Sequence, residues 1–192
     1  MYITDDILCS LSERYGPPRI WRVSVFAFPD EFAMIRNSQK GGRNHDVTVY
    51  GQKDGRIIVN AKHFYPPGLF RAPSGGVEPG EDFVEGAKRE MREETGCEME
   101  LEKFILRTAV DFYLMLPDGT ITDRVINWRS FVFTARYVDG DFNFSDRHEI
   151  REVSLAAWED FESFSRTMRQ TAIGGFHYRA ALHDQVRRWL HR

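Results

Sequence analysis

Strand and helix signals alternate along this 192-residue chain and predict an α/β fold. Three observations carry that expectation. Val47-Thr48-Val49-Tyr50 and Arg56-Ile57-Ile58-Val59 flank Gly51-Gln52-Lys53-Asp54-Gly55, the pattern of a β-hairpin. A helix opens near Glu81 or Asp82, whose charges complement its dipole, and stops at Gly96. Beyond it, Met99 to Leu116 has the apolar content of one or two strands; Pro117-Asp118-Gly119-Thr120 is a turn, and Val125 to Tyr137 reads as a long strand.

The remaining elements are expected as follows. In residues 1–45, Trp21 to Phe28 looks like a strand and Phe32-Ala33-Met34-Ile35 like its partner. A two-stranded ribbon alone is marginal in water, so it must pack on its own core or on a second subunit. The core domain is expected over residues 46–192. His63 to Gly68 breaks the strand pattern, and Pro73-Ser74-Gly75-Gly76 with Pro79-Gly80 makes a turn-rich loop around Val77. From Tyr178 to Leu190, the positions of Ala181, Leu182, Val186, Trp189 and Leu190 give an amphipathic helix. Its Arg179, Arg187, Arg188 and Arg192 read most simply as a solvated face, with a basic substrate rim as the alternative.

Composition narrows the functional classes. With 42% hydrophobic and 29% charged residues the chain is an ordinary globular sequence, long enough for one domain with a sizeable core. A net charge of −3 gives no general affinity for polymeric nucleic acid or an anionic membrane. Cys9 and Cys97 form no CxxC and imply no disulfide framework. Neither a signal peptide nor a membrane-spanning apolar run is evident, so a reducing cytoplasm is the expected location.

The segment from Gly75 to Cys97 carries the chemistry. Set at about 100° per residue with Glu90 at zero, Glu94 falls near 40°, Glu93 near 300° and Gly86 near 320°. Ala87, Met91 and Val84 occupy the neighbouring arc and read as the core stripe. Glu90, Glu93 and Glu94 therefore share one helix edge. Like charges at these spacings repel, and three oxygen donors so placed suit Mg²⁺ or Mn²⁺. Any E-x-x-E-E fragment alone is more often a charged surface helix, but here Gly75, Glu81, Arg89-Glu90, Glu93-Glu94 and Gly96 all fall on schedule. Arg89, four residues from both Glu85 and Glu93, is placed to brace the Glu93 carboxylate rather than to bind substrate.

These residues resemble the Nudix box, G-x5-E-x7-R-E-U-x-E-E-x-G-U with U a bulky apolar residue. Gly75, Glu81, Arg89, Glu90, Met91, Glu93, Glu94 and Gly96 match; Cys97 is small for the last position, and Ser74 replaces a glycine common before the box. The resemblance implies an α/β/α sandwich with a mixed sheet and a closing helix from about Leu155. It also implies hydrolysis of a nucleoside diphosphate linked to another moiety, with Mg²⁺ or Mn²⁺ as cofactor. By resemblance the Ser74 carbonyl, Glu90, Glu93 and Glu94 are metal ligands, and a further carboxylate comes from the acidic segment 146–155. Glu149 is the best match there as ligand or base, with Asp146 and Glu152 as alternatives and His148 as a surface residue. Glu90 and Glu149 are both candidate bases. Family members often dimerise through extensions, so a homodimer and packing of residues 1–45 within the chain are both open.

Substrate identity is only partly legible. Arg71 is placed to contact the diphosphate or to serve as a surface ion-pair partner. Arg71 and Phe112-Tyr113 stand where ADP-ribose hydrolases carry Glu and Pro, which argues against ADP-ribose. Tyr113 lies where dinucleoside-polyphosphate hydrolases often carry Tyr. Trp128, Phe112 and Tyr113 are candidates to stack on a base, or are core. Coenzyme A and NADH accessory patterns are not seen. Two other classes are weighed. A catalytically silent Nudix-like sensor or scaffold usually lacks box carboxylates, all of which are here. An isopentenyl diphosphate isomerase needs a cysteine context that Cys9 and Cys97 do not offer.

Overall fold

A computed structural model describes residues 2–190, apart from the side chain of Lys40; Arg192 lies outside the described residues. In chain order the elements are α1 (Asp5–Tyr15), β1 (Arg19–Ala27), α2 (Pro29–Ser38), β2 (His45–Lys53) and β3 (Arg56–Lys62). There follow β4 (Ser74–Gly75), α3 (Phe83–Thr95), β5 (Cys97–Met115), β6 (Ile121–Gly140), β7 (Ile150–Ala156), α4 (Asp160–Arg169) and α5 (Gly174–Leu190). Six strands lie in the order β1-β5-β6-β2-β3-β7, with β4 paired to β2. The β1–β5 and β2–β6 pairs are parallel and the others antiparallel, so the sheet is mixed.

Strand alternation sends side chains to two cores. Val47, Val49 and Ile58 join Leu8 and Leu11 of α1 and Val84, Ala87 and Met91 of α3 on one face. Tyr50, Ile57 and Val59 join Phe32 of α2, Phe161 and Met168 of α4, and Leu182 and Val186 of α5 on the other. This is the expected α/β/α sandwich, and Val84, Ala87 and Met91 form the buried stripe expected of the helix. Among the described residues no helix is long and apolar enough to cross a membrane.

The hairpin forms with a tighter turn than the five-residue spacing suggests. Asp54 and Gly55 take φ of 51° and 74°, the left-handed pair that matches the twist of two antiparallel strands. Yet β2 and β3 pair only at Gln52↔Ile57 and Lys53↔Arg56. Beyond that they splay, and residues 71–75 fill the wedge. Asn60 and Arg71 exchange backbone hydrogen bonds of 2.9 Å, the Val49 amide donates to the Pro73 carbonyl at 3.1 Å, and Thr48 pairs with Ser74. The wedge places Arg71 and Ser74 inside the sheet rather than on a surface loop.

Two expectations are corrected. Phe32 to Ile35 is not a strand partner for Trp21 to Phe28 but part of α2. Pro29 in the first turn presets the helical φ, Asp30 and Glu31 favour the N-terminus, and Phe32 and Ile35 pack one face on the core. Strand β1 instead pairs in parallel with β5 of the same chain over Arg19↔Leu106 to Ala27↔Leu114, so no second subunit is needed to complete a ribbon. The closing helix does not begin at Leu155. Residues 150–156 pair antiparallel with β3, and the helix opens at Asp160, whose carboxylate accepts from the Ala157 amide at 2.8 Å.

Two histidines make the fold acid-sensitive. Burial pushes His183 down to about 3, with the charges of Arg179, Arg71 and Arg169 adding to the effect; its Nδ1 meets the Tyr50 hydroxyl at 2.8 Å. Burial likewise lowers His45 to about 4, against the opposing charge of Asp46. Both are neutral when folded and protonate near pH 6.5 when unfolded, so their contribution is complete above pH 6.5 and is lost as pH falls toward 4. Burial raises the carboxyls of Glu90, to about 6, and Glu31, which work in the opposite sense. Each histidine costs on the order of 1 kcal/mol per pH unit in that window. The urea midpoint is expected to fall between pH 7 and pH 5, and less steeply in His183→Gln. Parallel pH profiles for the two proteins would refute this account.

Candidate active site

Helix α3 is fixed at both ends by residues that also shape the site. The Asp82 carboxylate caps its N-terminus, accepting from the Val84 and Glu85 amides at 2.9 and 3.1 Å. Gly96 ends it in the left-handed region at φ 69°, where a Cβ would lie 2.6 Å from the Asn143 backbone. The chain therefore runs directly against the helix end. There the Ser145 and Asp146 amides donate to the Glu93 carbonyl at 3.1 and 3.0 Å. The segment that carries Glu149 is thus docked on the helix that carries the three glutamates.

Arg89 is the hub of the helix edge. Its Nε and Nη2 grip both oxygens of Glu81 at 2.8 and 3.0 Å, and Nη1 reaches Glu90 at 3.2 Å and Glu93 at 3.0 Å. Nη2 also donates to the Gly76 carbonyl at 3.0 Å, tying the loop to the helix. The bracing role expected of Arg89 is present and wider than expected, because Glu81 rather than Glu85 is its bidentate partner. Gly86 makes room for this fork: a Cβ there would sit 2.6 Å from a Glu81 oxygen. The bond to Arg89 holds the Glu81 carboxyl below its usual range.

Glu90 and Glu94 turn inward from the same edge. Both hydrogen bonds of Glu90 fall on Oε1, from the Gly76 amide and Arg89. Its Oε2 faces Gly75, where a Cβ would lie only 1.9 Å away, so the bare glycine lets the helix carboxylate close on the Ser74–Gly75 backbone. Glu94 is 3% exposed. It accepts from Asn60 at 2.7 Å, from the Ser74 amide at 3.1 Å and from Arg71 at 3.5 Å. Glu93, at the solvent side, touches only Arg89 among these groups.

Next to this edge lies a cavity of about 480 Å³ whose lining includes Arg71, Ser74, Trp128, Glu149, Arg179 and Phe176. Five of the sequence-derived candidates, Arg71, Ser74, Phe112, Trp128 and Glu149, line this one cavity. Glu149 is paired with Lys62, and that bond first, then Lys62 and Arg71 charge, hold its carboxyl low and ionised. Asp146 accepts from the Glu149 amide at 3.1 Å and Glu152 pairs with Arg151, and neither is among the cavity-lining residues. His148 is an exposed residue of the cavity rim.

The structure corrects two placements. Tyr113 does not line the cavity; alternation along β5 turns Phe112 toward it and Tyr113 to the opposite face. Arg179 is not on a solvated face. It shares a helical stripe with His183 and Val186, and its side chain is 14% exposed. It donates to Asp46 at 2.7 Å, Ser74 Oγ at 2.9 Å and Thr48 at 2.9 Å. That i, i+4, i+7 stripe was the available signal. Asn60, the partner of Glu94, had none, because only the wedge brings it there.

Among the described residues no three His, Cys, Asp or Glu side chains converge to enclose a metal ion. The box carboxylates are turned to Arg89, Asn60 and backbone amides instead. The donor set nevertheless fits a hard cation. It consists of oxygens, and Glu90 Oε2 closes on the Ser74–Gly75 backbone through the space a Cβ would fill. Burial first raises Glu90 to about 6, against the opposing charge of Arg89 and with Glu94 adding to it.

The family model for the NUDIX domain matches residues 42–177. The chain belongs to the NUDIX family. Among curated proteins it is 30% identical over 118 residues to an RNA pyrophosphohydrolase of Sphingopyxis alaskensis, covering 58% of this chain and 73% of that one. Among solved structures it is similar to a UDP-X diphosphatase at 19% identity and TM-score 0.45, over 67% of this chain and 60% of that chain's length. It is also similar to a NUDIX hydrolase from Nitrosomonas europaea at 18% identity and TM-score 0.48, over 70% of this chain and 85% of that one. The NUDIX match ends two residues before Arg179, so α5 supplies the cavity with a residue that the family pattern does not span.

Proposed function

We propose that this NUDIX protein is a divalent-metal-dependent diphosphohydrolase acting on a nucleoside diphosphate linked to another moiety. One observation carries the reading: Ser74 joins two surfaces. Its amide donates to Glu94 of the box helix, while its hydroxyl accepts from Arg71 and Arg179 in the cavity. An acidic helix edge and a basic, aromatic-walled cavity thus share a wall. Glu90, Glu93, Glu94 and the Ser74 carbonyl would hold Mg²⁺, or Mn²⁺, with Glu149 as the further carboxylate. The cation, when bound, neutralises charge on the diphosphate oxygens.

The chain's own groups do the rest. Arg71 binds a diphosphate oxygen, and Trp128 and Phe112 offer ring faces to the base. Arg89 holds Glu90 and Glu93 in register. Glu149, which lines the cavity and is ionised beside Lys62, and Glu90, which burial raises to about 6, are the two candidate bases for the attacking water.

The test is a panel of nucleoside triphosphates, nucleotide sugars and dinucleoside polyphosphates with Mg²⁺ or Mn²⁺. Because the relative at 30% identity is an RNA pyrophosphohydrolase, an RNA with a 5′-terminal triphosphate joins the panel. Release of phosphate, pyrophosphate or nucleoside monophosphate is expected for at least one class and none without the cation. Tight nucleotide binding with no turnover would instead mark a silent binding domain.

A further inference from the structure

We propose that Arg179 and Arg71 together clamp a phosphate group of the substrate at the floor of the cavity, which makes Arg179 a substrate-binding residue. This rests on the reading of the cavity given above. Arg179 stands on a rigid support. Next to it, the Tyr178 hydroxyl lies 2.7 Å from Ser130 Oγ and 3.2 Å from Thr108 Oγ1, and Phe176, Ala180 and Leu182 are buried against the sheet. The helix therefore presents Arg179 to the ends of β2 and β4 with little freedom.

The two guanidinium groups meet at one oxygen, Ser74 Oγ. Like charges this close, away from water, repel strongly unless anions offset them. Asp46 does so for Arg179 at 2.7 Å, but Arg71 has Glu94 only at 3.5 Å. Donors also remain unused. Arg179 employs three of its five N–H groups, one each to Asp46, Ser74 and Thr48. Arg71 is 3% exposed and, among the described residues, its Nε has no hydrogen-bond partner. Two guanidinium groups on one cavity wall, with Glu94 only at 3.5 Å from one of them, leave an electropositive site, and a phosphate suits two planar forks at once. A salt bridge kept only to tie α5 to the sheet would not explain why a second arginine shares Ser74 Oγ at the same wall.

Inorganic pyrophosphate, titrated calorimetrically without divalent cation into wild type, Arg179→Lys and Arg179→Gln, separates the two roles. Each protein is melted in parallel and assayed on the substrate panel. Wild type is expected to bind, with Kd rising about tenfold or more in Arg179→Gln and severalfold in Arg179→Lys. In turnover, KM is expected to rise more than kcat falls. Unchanged pyrophosphate affinity in the folded variants, or no binding by wild type, overturns the clamp. Should Arg179→Gln not fold, Arg179→Lys decides, since lysine keeps the charge beside Asp46 but cannot form a fork. A variant-dependent Kd with no turnover of any substrate leaves the clamp standing and the proposed activity refuted. Turnover with wild-type KM in both variants does the reverse.

Discussion

Glu93→Gln is expected to lower turnover about a hundredfold or more while leaving Tm within a few degrees of wild type. The side chain of Glu93 is 44% exposed, and its protein contact is Arg89 Nη1 at 3.0 Å. An i,i+4 pair of that kind contributes about 0.3–0.5 kcal/mol. Arg89 keeps its bidentate hold on Glu81 without it. The backbone carbonyl of Glu93, which docks the Glu149 segment, is untouched by the substitution. What glutamine removes is one negative charge from the edge where the cation is proposed to bind. Steady-state rates and a thermal melt of the same preparation check both halves. Wild-type turnover would sink the role of the edge, and a loss of Tm beyond about 10 °C would show that Glu93 is structural instead.

Glu94→Ala should also destabilise the fold, unlike Glu93→Gln, by about 3–5 kcal/mol, or about 10 °C or more of Tm in a chain of this size. Glu94 and Arg71 are both nearly inaccessible, so removing the carboxylate strands a guanidinium already short of partners. It also strips the acceptor from the Asn60 side chain and the Ser74 amide, which tie the wedge between β2 and β3 to the helix. Glu94→Gln keeps an acceptor oxygen and loses only the charge, so it should fall between wild type and Glu94→Ala. Urea unfolding of the pair is the measurement. Equal stability of Glu94→Ala and wild type would mean that the Arg71–Glu94 contact contributes nothing, and the account of the wedge would fail with it.

Neighbouring glutamates thus have different physical lives, although the helical angles placed them together. The motif spacing identified Glu90, Glu93 and Glu94 as one edge, and that edge exists. It did not reveal that Arg89 would close on Glu81, Glu90 and Glu93, nor that Glu94 would be sealed behind Arg71. Helix α3 was legible because its determinants are local: Asp82 caps it, Val84, Ala87 and Met91 repeat at core spacing, and Gly96 takes a conformation other residues resist. Segment 32–35 was misread because four apolar or small residues fit either period, and the signals that chose the helix were Pro29 and the acidic first turn. Leu155 was misassigned because its strand is stabilised by β3, nearly a hundred residues earlier.

The helix, the hairpin and the long strands of the sandwich, the NUDIX motif and the set of oxygen donors on one helix edge are all written in local sequence. All of these depend on residues within a few positions of one another, where sterics, capping and periodicity act. That Arg71 enters the sheet, that Tyr113 lies away from the cavity and that Arg179 reaches Asp46 across 133 positions of chain emerge from packing between distant segments. Those outcomes follow from burial and charge pairing between distant segments. Their free energies exist only once the elements are packed; helical stripe and strand alternation record which way Arg179 and Tyr113 turn, not what they meet.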